Sequence, residues 1–160
     1  MQDATTTLLG LDYGVKKMGM ALGNTLTLTA RPFDILAMDN GQPDWENLIG
    51  IIHAWQISHV VIGLPLNMDG TDSMLSKRAA KFARRLAHRL GERRLKVAVY
   101  LSDERLTSRA ARALAWEQEL IKHPNDPIDD VAACLILQSF FDNPTLATPV
   151  TSYHDDPAHD

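Results

Sequence analysis

The sequence lacks the features that mark a secreted, disulfide-bonded or membrane protein. It has a single cysteine, Cys134, which has no partner for an intramolecular disulfide and lies in the most apolar part of the chain. The first residues contain no basic segment typical of a signal peptide, and no apolar run approaches the roughly 20 residues that a membrane-spanning helix needs. These absences predict a cytoplasmic protein with no membrane partner.

The sequence is also poor in the ligands of zinc and in nucleotide-binding loops. Its six histidines show no paired spacing typical of zinc, and it contains no Walker A motif. At 160 residues, the chain is long enough for one well-buried core and too short for two large lobes. Carboxylates are therefore better candidates for the functional groups of this chain than any other set of side chains.

Charges of one sign are absent from one segment of the chain and scarce in another. Residues 126–160 include seven acids and no lysine or arginine, whereas residues 77–96 hold nine of the 16 basic residues and one acid, Glu92. Apolar residues recur at helical spacing in the basic segment, which predicts a helix over residues 73–90 with one buried and one cationic face. These cations either solvate the helix or contact phosphate, and the net charge of -4 favours solvation for most of them.

One carboxylate interrupts the first predicted strand. Residues 7–11 are apolar and β-prone, residues 18–22 are apolar again, and the segment between them suits a tight turn, so a hairpin is predicted. Asp12 follows the first apolar run, and a buried carboxylate requires hydrogen bonds, a cation or a metal. A structural aspartate that caps its own turn is the alternative.

Two further acids lie where a fold of this kind places its chemistry. Residues 96–101 are a β-rich run followed closely by Glu104, and open α/β sheets bind ligands at the carboxyl ends of their strands. Asp126 suits an N-cap and Pro127 the first helical position, so Asp129 falls in the first turn of a long apolar helix. Because the helix dipole favours an anion there, a purely capping role for Asp129 also stays open.

The order of these segments predicts an α/β fold with a mixed sheet. Strands over residues 7–12, 18–23 and 31–37 predict an antiparallel three-strand meander, followed by a turn at Asn40-Gly41 and a helix over residues 44–55. Strands over residues 59–64 and 96–101 alternate with helices, which predicts two parallel strands. Further helices are expected over residues 108–121 and 128–141. We expect a flexible segment at residues 1–6, one domain over residues 7–142 and a disordered tail over residues 143–160.

Four ordered motifs resemble the YqgF family, also called RuvX. They are Gly10-Leu11-Asp12-Tyr13-Gly14 with Lys16, Lys17 and Gly19, then Val61-Ile62-Gly63-Leu64-Pro65-Leu66-Asn67-Met68-Asp69-Gly70, then Asp103-Glu104-Arg105-Leu106-Thr107, and last Ile128-Asp129 with Ala132, Ala133 and Gln138. The similarity covers residues 7–142. The resemblance implies a ribonuclease-H-like fold, here a mixed five-stranded sheet flanked by helices, and a relation to Holliday-junction resolvases.

The resemblance also implies a metal-dependent nuclease that matures the 5′ end of pre-16S ribosomal RNA. Its acidic site falls on Asp12, Glu104 and Asp129, and such carboxylates select Mg²⁺ or Mn²⁺. Holliday junction resolution and a non-catalytic role in ribosome assembly are the alternatives. Nucleotide binding is a third, because an Asp-x-Gly hairpin also occurs in the actin and sugar-kinase superfamily, although those proteins need two lobes.

Polar and cationic residues near these acids are candidates to bind nucleic acid, with pre-rRNA favoured over branched DNA. The candidates are Lys16, Lys17, Asn67, Asp69 and Arg105, together with Arg78, Lys81 and Arg85 on the basic helix. Family members often carry Lys and Gly just before the last aspartate, whereas this chain has Pro124-Asn125-Asp126-Pro127. Asp126 or Asp130 could therefore share or take over the role of Asp129. Whether the protein acts as a monomer or a dimer stays open.

Overall fold

A computed structural model describes residues 6–64, 73–103, 129–142, 144 and 147–150 of the chain. The strands are β1 (Thr7–Asp12), β2 (Lys17–Asn24), β3 (Thr29–Asp39), β4 (Gln42–Pro43), β5 (Ile57–Leu64), β6 (Ala98–Asp103) and β7 (Thr148–Val150). The helices are α1 (Trp45–Ala54), α2 (Met74–Glu92) and α3 (Asp129–Asp142). No helix in this part of the chain is long and apolar enough to cross a membrane. The helix predicted over residues 108–121 lies outside the described residues.

The strands form one sheet in the order β4-β3-β2-β1-β5-β6-β7. Strands β1, β2 and β3 are an antiparallel meander, and β5 and β6 run parallel to β1, which confirms the predicted α/β class. The described residues form seven strands instead of five, because β4 and β7 are additional. Strand β7 falls in the segment for which a disordered tail was expected, yet it pairs antiparallel with β6. Three residues that include a proline are too few to show an alternating pattern in the sequence.

The basic segment forms α2, as predicted. The helix begins with a capping box, in which Ser73 Oγ accepts a hydrogen bond from the Ser76 amide at 2.9 Å and Ser76 Oγ accepts one from the Ser73 amide at 2.8 Å. Its buried face packs on the sheet through Ala79, Phe82, Ala83, Leu86 and Leu90. The basic side chains between these apolar positions are left on the other faces of the helix.

Alternate residues of β1 pack against different layers of the fold. Leu11 and the following Tyr13 belong to the core formed with α1 and α2, whereas Leu8 belongs to a second cluster with Ala133 of α3. Because successive side chains of a strand point to opposite faces, Asp12 lies on the α3 side of the sheet. Two neighbouring residues, Asp12 and Tyr13, therefore face the two sides of the sheet.

Glycines on β1 and β2 let α3 approach the sheet closely. A Cβ placed on Gly10 would lie 2.7 Å from the carbonyl oxygen of Ala133, and one placed on Gly23 would lie 3.0 Å from the ring of Phe141. Gly23 pairs with Leu8, so the contact moves toward the end of α3 as β1 is followed backward from Gly10. Helix α3 therefore runs antiparallel to β1, and its first turn lies at the carboxyl end of β1.

Replacing Gly10 by alanine should lower the free energy of unfolding by about 1 to 3 kcal/mol, because the added methyl group requires α3 or β1 to shift. Gly50→Ala is the matched control, since a Cβ at Gly50 of α1 meets no atom within 4 Å. That control should raise stability by about 0.5 to 1 kcal/mol through helix propensity. Denaturant unfolding measures both changes, and a Gly10→Ala protein as stable as the wild type would contradict the close contact.

Candidate active site

Asp12 ends β1 at the end of the sheet where the parallel strands β5 and β6 also finish. This carboxyl-terminal end of the parallel strands is called the sheet edge below. Asp12 pairs with Gly19 of β2 and is half-buried. The parallel register aligns Leu11 with Ile62 on β5, and Ile62 with Leu101 on β6. Measured along the strands, Asp12 is therefore level with the residue before the last one of β6. Strand β6 is two strands away from β1, which corresponds to about 10 Å across the sheet.

The second predicted acid, Glu104, follows the last residue of β6. That strand ends at Asp103, and its register with β5 is maintained to this point. Glu104 itself lies outside the described residues, as do three of the predicted substrate-binding residues, Asn67, Asp69 and Arg105. The described part of β6 thus leads the chain to the same sheet edge that carries Asp12.

Asp129 is the first residue of α3. Ala133, one helical turn later, packs against Gly10 of β1. Four helical residues rise about 6 Å and two strand residues about 6.8 Å, so the backbones of Asp129 and Asp12 lie at a similar height on the same side of the sheet. The start of a helix also favours a negative charge. Asp126 and the side chains of Asp129 and Asp130 lie outside what the structure describes.

The chemistry of these residues suits a divalent cation. Carboxylate oxygens are the ligands that Mg²⁺ and Mn²⁺ prefer. Among the side chains that the structure describes, no group of three Asp, Glu, His or Cys residues is placed to hold a metal ion. A metal site at this edge would therefore have to combine Asp12 with acids beyond the described side chains.

Lys16 and Lys17 are exposed where the chain turns from β1 into β2. The backbone of this turn is tied to the β3–β4 region, because the amide of Met38 donates to the Lys16 carbonyl at 2.9 Å and the amide of Gly41 donates to the Val15 carbonyl at 2.8 Å. These bonds hold in place the loop that follows Asp12. Both lysines are therefore close in the chain to the predicted acid, as their proposed contact with phosphate requires.

The three cations predicted on the basic helix come together in one cleft of about 540 Å³. This basic cleft lies between α2 and the β3–β4 turn, and its lining consists of Arg78, Lys81, Phe82, Arg85, Tyr13 and the turn residues Asp39, Asn40, Gly41 and Gln42. The sequence identified Asn40-Gly41 as a turn but not Tyr13 as a neighbour of that turn. A tyrosine directly after the strand that carries Asp12 was the only signal that could have drawn attention to it.

Burial lowers the pKa of His59, on β5, below its ordinary value of 6.5. The ring stacks on Tyr100, with ring centroids 6.0 Å apart, and its Nδ1 lies 2.7 Å from Ser58 Oγ. A lowered pKa keeps this histidine neutral near pH 7. The ring therefore contributes to packing between β5 and β6.

Comparison with known proteins gives a family match, two named relatives and a similar solved structure. The RuvX family model, described as a Holliday junction resolvase, matches residues 6–143. A Psychrobacter sp. (strain PRwf-1) protein named "Putative pre-16S rRNA nuclease" is 67% identical over 152 residues, which cover 94% of this chain and 86% of that protein. A protein of the same name from Psychrobacter cryohalolentis is 67% identical over 137 residues, which cover 86% of this chain and 79% of that protein. Among solved structures, T. thermophilus RuvC in complex with a Holliday junction substrate aligns with a TM-score of 0.58 at 16% identity, covering 91% of this chain and 99% of that one.

A crystal structure determined with Mn²⁺ should show oxygens of Asp12, Glu104 and Asp129 within about 2.0 to 2.6 Å of the metal, which anomalous scattering would locate. The expectation follows from the shared position of the ends of β1 and β6 and the start of α3. Carboxylates more than about 10 Å apart would contradict a common site, because ions of this size cannot bridge such a gap.

Proposed function

Since the chain belongs to the RuvX family, we propose that it is a nuclease that hydrolyses phosphodiester bonds of structured nucleic acid and matures the 5′ end of pre-16S rRNA. The 67% identity to two proteins named as pre-16S rRNA nucleases supports this substrate. The structural observation that carries the proposal is the common height of Asp12 and of the first residue of α3 on one side of the sheet. That arrangement supports a carboxylate site at the sheet edge.

In this proposal, Asp12, Glu104 and Asp129 hold Mg²⁺ or Mn²⁺. When bound, such an ion polarises the scissile phosphate and lowers the pKa of a coordinated water. Asp12 would be shared by the ions, with Glu104 and Asp129 completing the site; its position two strands from β6 and at the height of the first residue of α3 supports this assignment. Asp126 or Asp130 would complete the site if Asp129 does not.

Five of the remaining predicted residues act on the substrate near the acids. Lys16, Lys17 and Arg105 neutralise the scissile phosphate or its neighbours, since cations adjacent to a carboxylate site offset the charge of the approaching backbone. Asn67 and Asp69 orient the substrate from the loop that follows β5. None of these side chains needs to act as a nucleophile.

Two other functions use the same surface. A Holliday junction resolvase, the description of the family, requires two active sites related by a two-fold axis, whereas ribosomal RNA maturation can use one. A non-catalytic assembly factor would bind RNA with little use for three acids that repel one another at one edge. Purified protein incubated with a 5′-extended 16S precursor and, separately, with a four-way DNA junction distinguishes the three functions.

Asp12→Asn should abolish metal-dependent cleavage, with at least a hundredfold loss of rate, because the amide keeps the shape of the side chain but loses the charge that holds the metal. Nucleic-acid affinity and the fold should be retained. Asp34→Asn is the matched control, because Asp34 is an exposed acid of β3 and should leave the rate unchanged.

Single-turnover assays with labelled precursor RNA measure both rates, and circular dichroism checks the fold. A wild-type rate in the purified Asp12→Asn protein would place the chemistry elsewhere. In cells, depletion of the protein should cause 5′-extended 16S RNA to accumulate, and expression of the Asp12→Asn protein should not restore maturation.

A further inference from the structure

The basic cleft lies on the side of the sheet opposite to α3. Tyr13, which lines it, directly follows Asp12, and consecutive Cα atoms are about 3.8 Å apart. The ring of Tyr13 packs against Phe82 of α2, with centroids 5.2 Å apart. The cleft therefore opens beside the same sheet edge as the predicted acids, but on the α2 side.

Hydrogen bonds hold the wall of the cleft that faces α2. The Tyr13 hydroxyl donates to the Gly41 carbonyl at 2.9 Å in a buried position, and Arg78 Nη2 donates to the Asn40 carbonyl at 2.6 Å. Gly41 has a φ of +84°, which a side chain would strain, and a Cβ there would also lie 2.6 Å from Arg78 Nη2. The β3–β4 turn is thus fastened to both the Asp12 loop and α2.

The cations of α2 differ in what they contact. Near the end of the helix, Arg89 lies 4.4 Å from the ring centre of Trp45, and Arg93 forms an ion pair with Glu46. Arg78 is bonded to the turn, as described above. In the part of the chain that the structure describes, Lys81 and Arg85 have no hydrogen-bond or ion-pair partner, although both line the cleft.

The charge of the cleft favours an anion. Three of its lining side chains are cationic, and one, Asp39, is acidic. A cleft of about 540 Å³ has room for a phosphate group with part of its sugar. Lysine and arginine side chains on one helix face, spaced four residues apart, suit contact with neighbouring phosphates of a backbone.

We propose that the basic cleft binds backbone phosphate of the nucleic acid, with Lys81 and Arg85 as the phosphate contacts and with Arg78 and Tyr13 as positioning residues that hold the turn. The proposal rests on the proposed function in one respect, namely that the phosphate belongs to the nucleic acid that is cut. The bound strand then crosses the sheet edge from the α3 side to the α2 side.

The test compares two double variants with equal charge loss on the same helix. Lys81→Gln with Arg85→Gln removes the cleft cations, whereas Lys77→Gln with Arg84→Gln removes two exposed cations that do not line the cleft. Fluorescence anisotropy would follow binding of a labelled 16S-precursor stem and of a four-way DNA junction at several salt concentrations. EDTA in the buffer keeps cleavage out of the measurement, and thermal unfolding checks that both variants are folded.

The cleft variant should lower the slope of log affinity against log salt by about 1.4 to 1.8 units, the value for two phosphate contacts, while the control variant should change it by much less. A loss with RNA alone or with DNA alone would support the cleft and identify its source of phosphate. Equal losses in the two variants, no loss in the cleft variant, or no binding of either probe by the wild type would overturn the proposal.

These outcomes are separable from those of the proposed function. If the wild-type protein cleaves neither probe with Mg²⁺ or Mn²⁺, yet the two double variants differ in slope as expected, the nuclease proposal fails and the phosphate site stands. If cleavage depends on Asp12 but the slopes of the two variants are equal, the nuclease proposal stands and the cleft is not a phosphate site.

Discussion

The close contact between α3 and β1 at Gly10 is the constraint on which the geometry of the candidate site depends. A side chain at Gly10 would meet the backbone of Ala133, whose carbonyl oxygen lies 2.7 Å from a Cβ placed there. Because the glycine removes that obstacle, α3 lies close to β1. The helix runs antiparallel to the strand, so its first residue, Asp129, has a height similar to that of the last residue of the strand, Asp12, on the same side of the sheet.

Because side chains alternate along β1, the adjacent residues Asp12 and Tyr13 face opposite sides of the sheet. Asp12 lies on the α3 side, where Asp129 begins the helix, and Tyr13 lies on the α2 side, where the cations of the basic cleft lie. The Tyr13 hydroxyl bonds to Gly41, and the Gly41 amide bonds to Val15, so the loop after Asp12 is held from two directions. A substrate bound in the cleft would therefore contact residues that are hydrogen-bonded to the loop after Asp12.

Local patterns in the sequence predict the helices, strands and turns better than they predict the contacts between these elements. The hairpin at Asp12, the turn at Asn40 and the helix that starts after Ser73 each depend on a few neighbouring residues, and the structure confirms them. Strands β4 and β7 were missed because two or three residues show no period. The bonds from Tyr13 to Gly41 and from Arg78 to Asn40 join residues 28 and 38 positions apart, and no local pattern records such pairs.

The same reasoning explains what the sequence reveals of the site. Acids at the ends of parallel strands stand out because the carboxyl ends of such strands lie at one sheet edge. For Asp12 and Asp129 the structure gives the backbone a similar height at that edge. The role of Glu104 stays a prediction. The sequence does not distinguish the three cations predicted on α2. In the structure, Arg78 is hydrogen-bonded to the β3–β4 turn, whereas Lys81 and Arg85 line the cleft without such a bond.

Segregated charge is consistent with a net charge of -4 on a protein that binds nucleic acid. At physiological ionic strength the Debye length is about 8 Å, so exposed charges farther apart than this act largely independently of one another. The cations that line the cleft on the α2 side can therefore attract a phosphate despite the net negative charge of the whole chain. If both proposals hold, the α3 side binds a divalent cation and the α2 side binds a phosphate, so a nucleic acid that lies across the sheet edge contacts both.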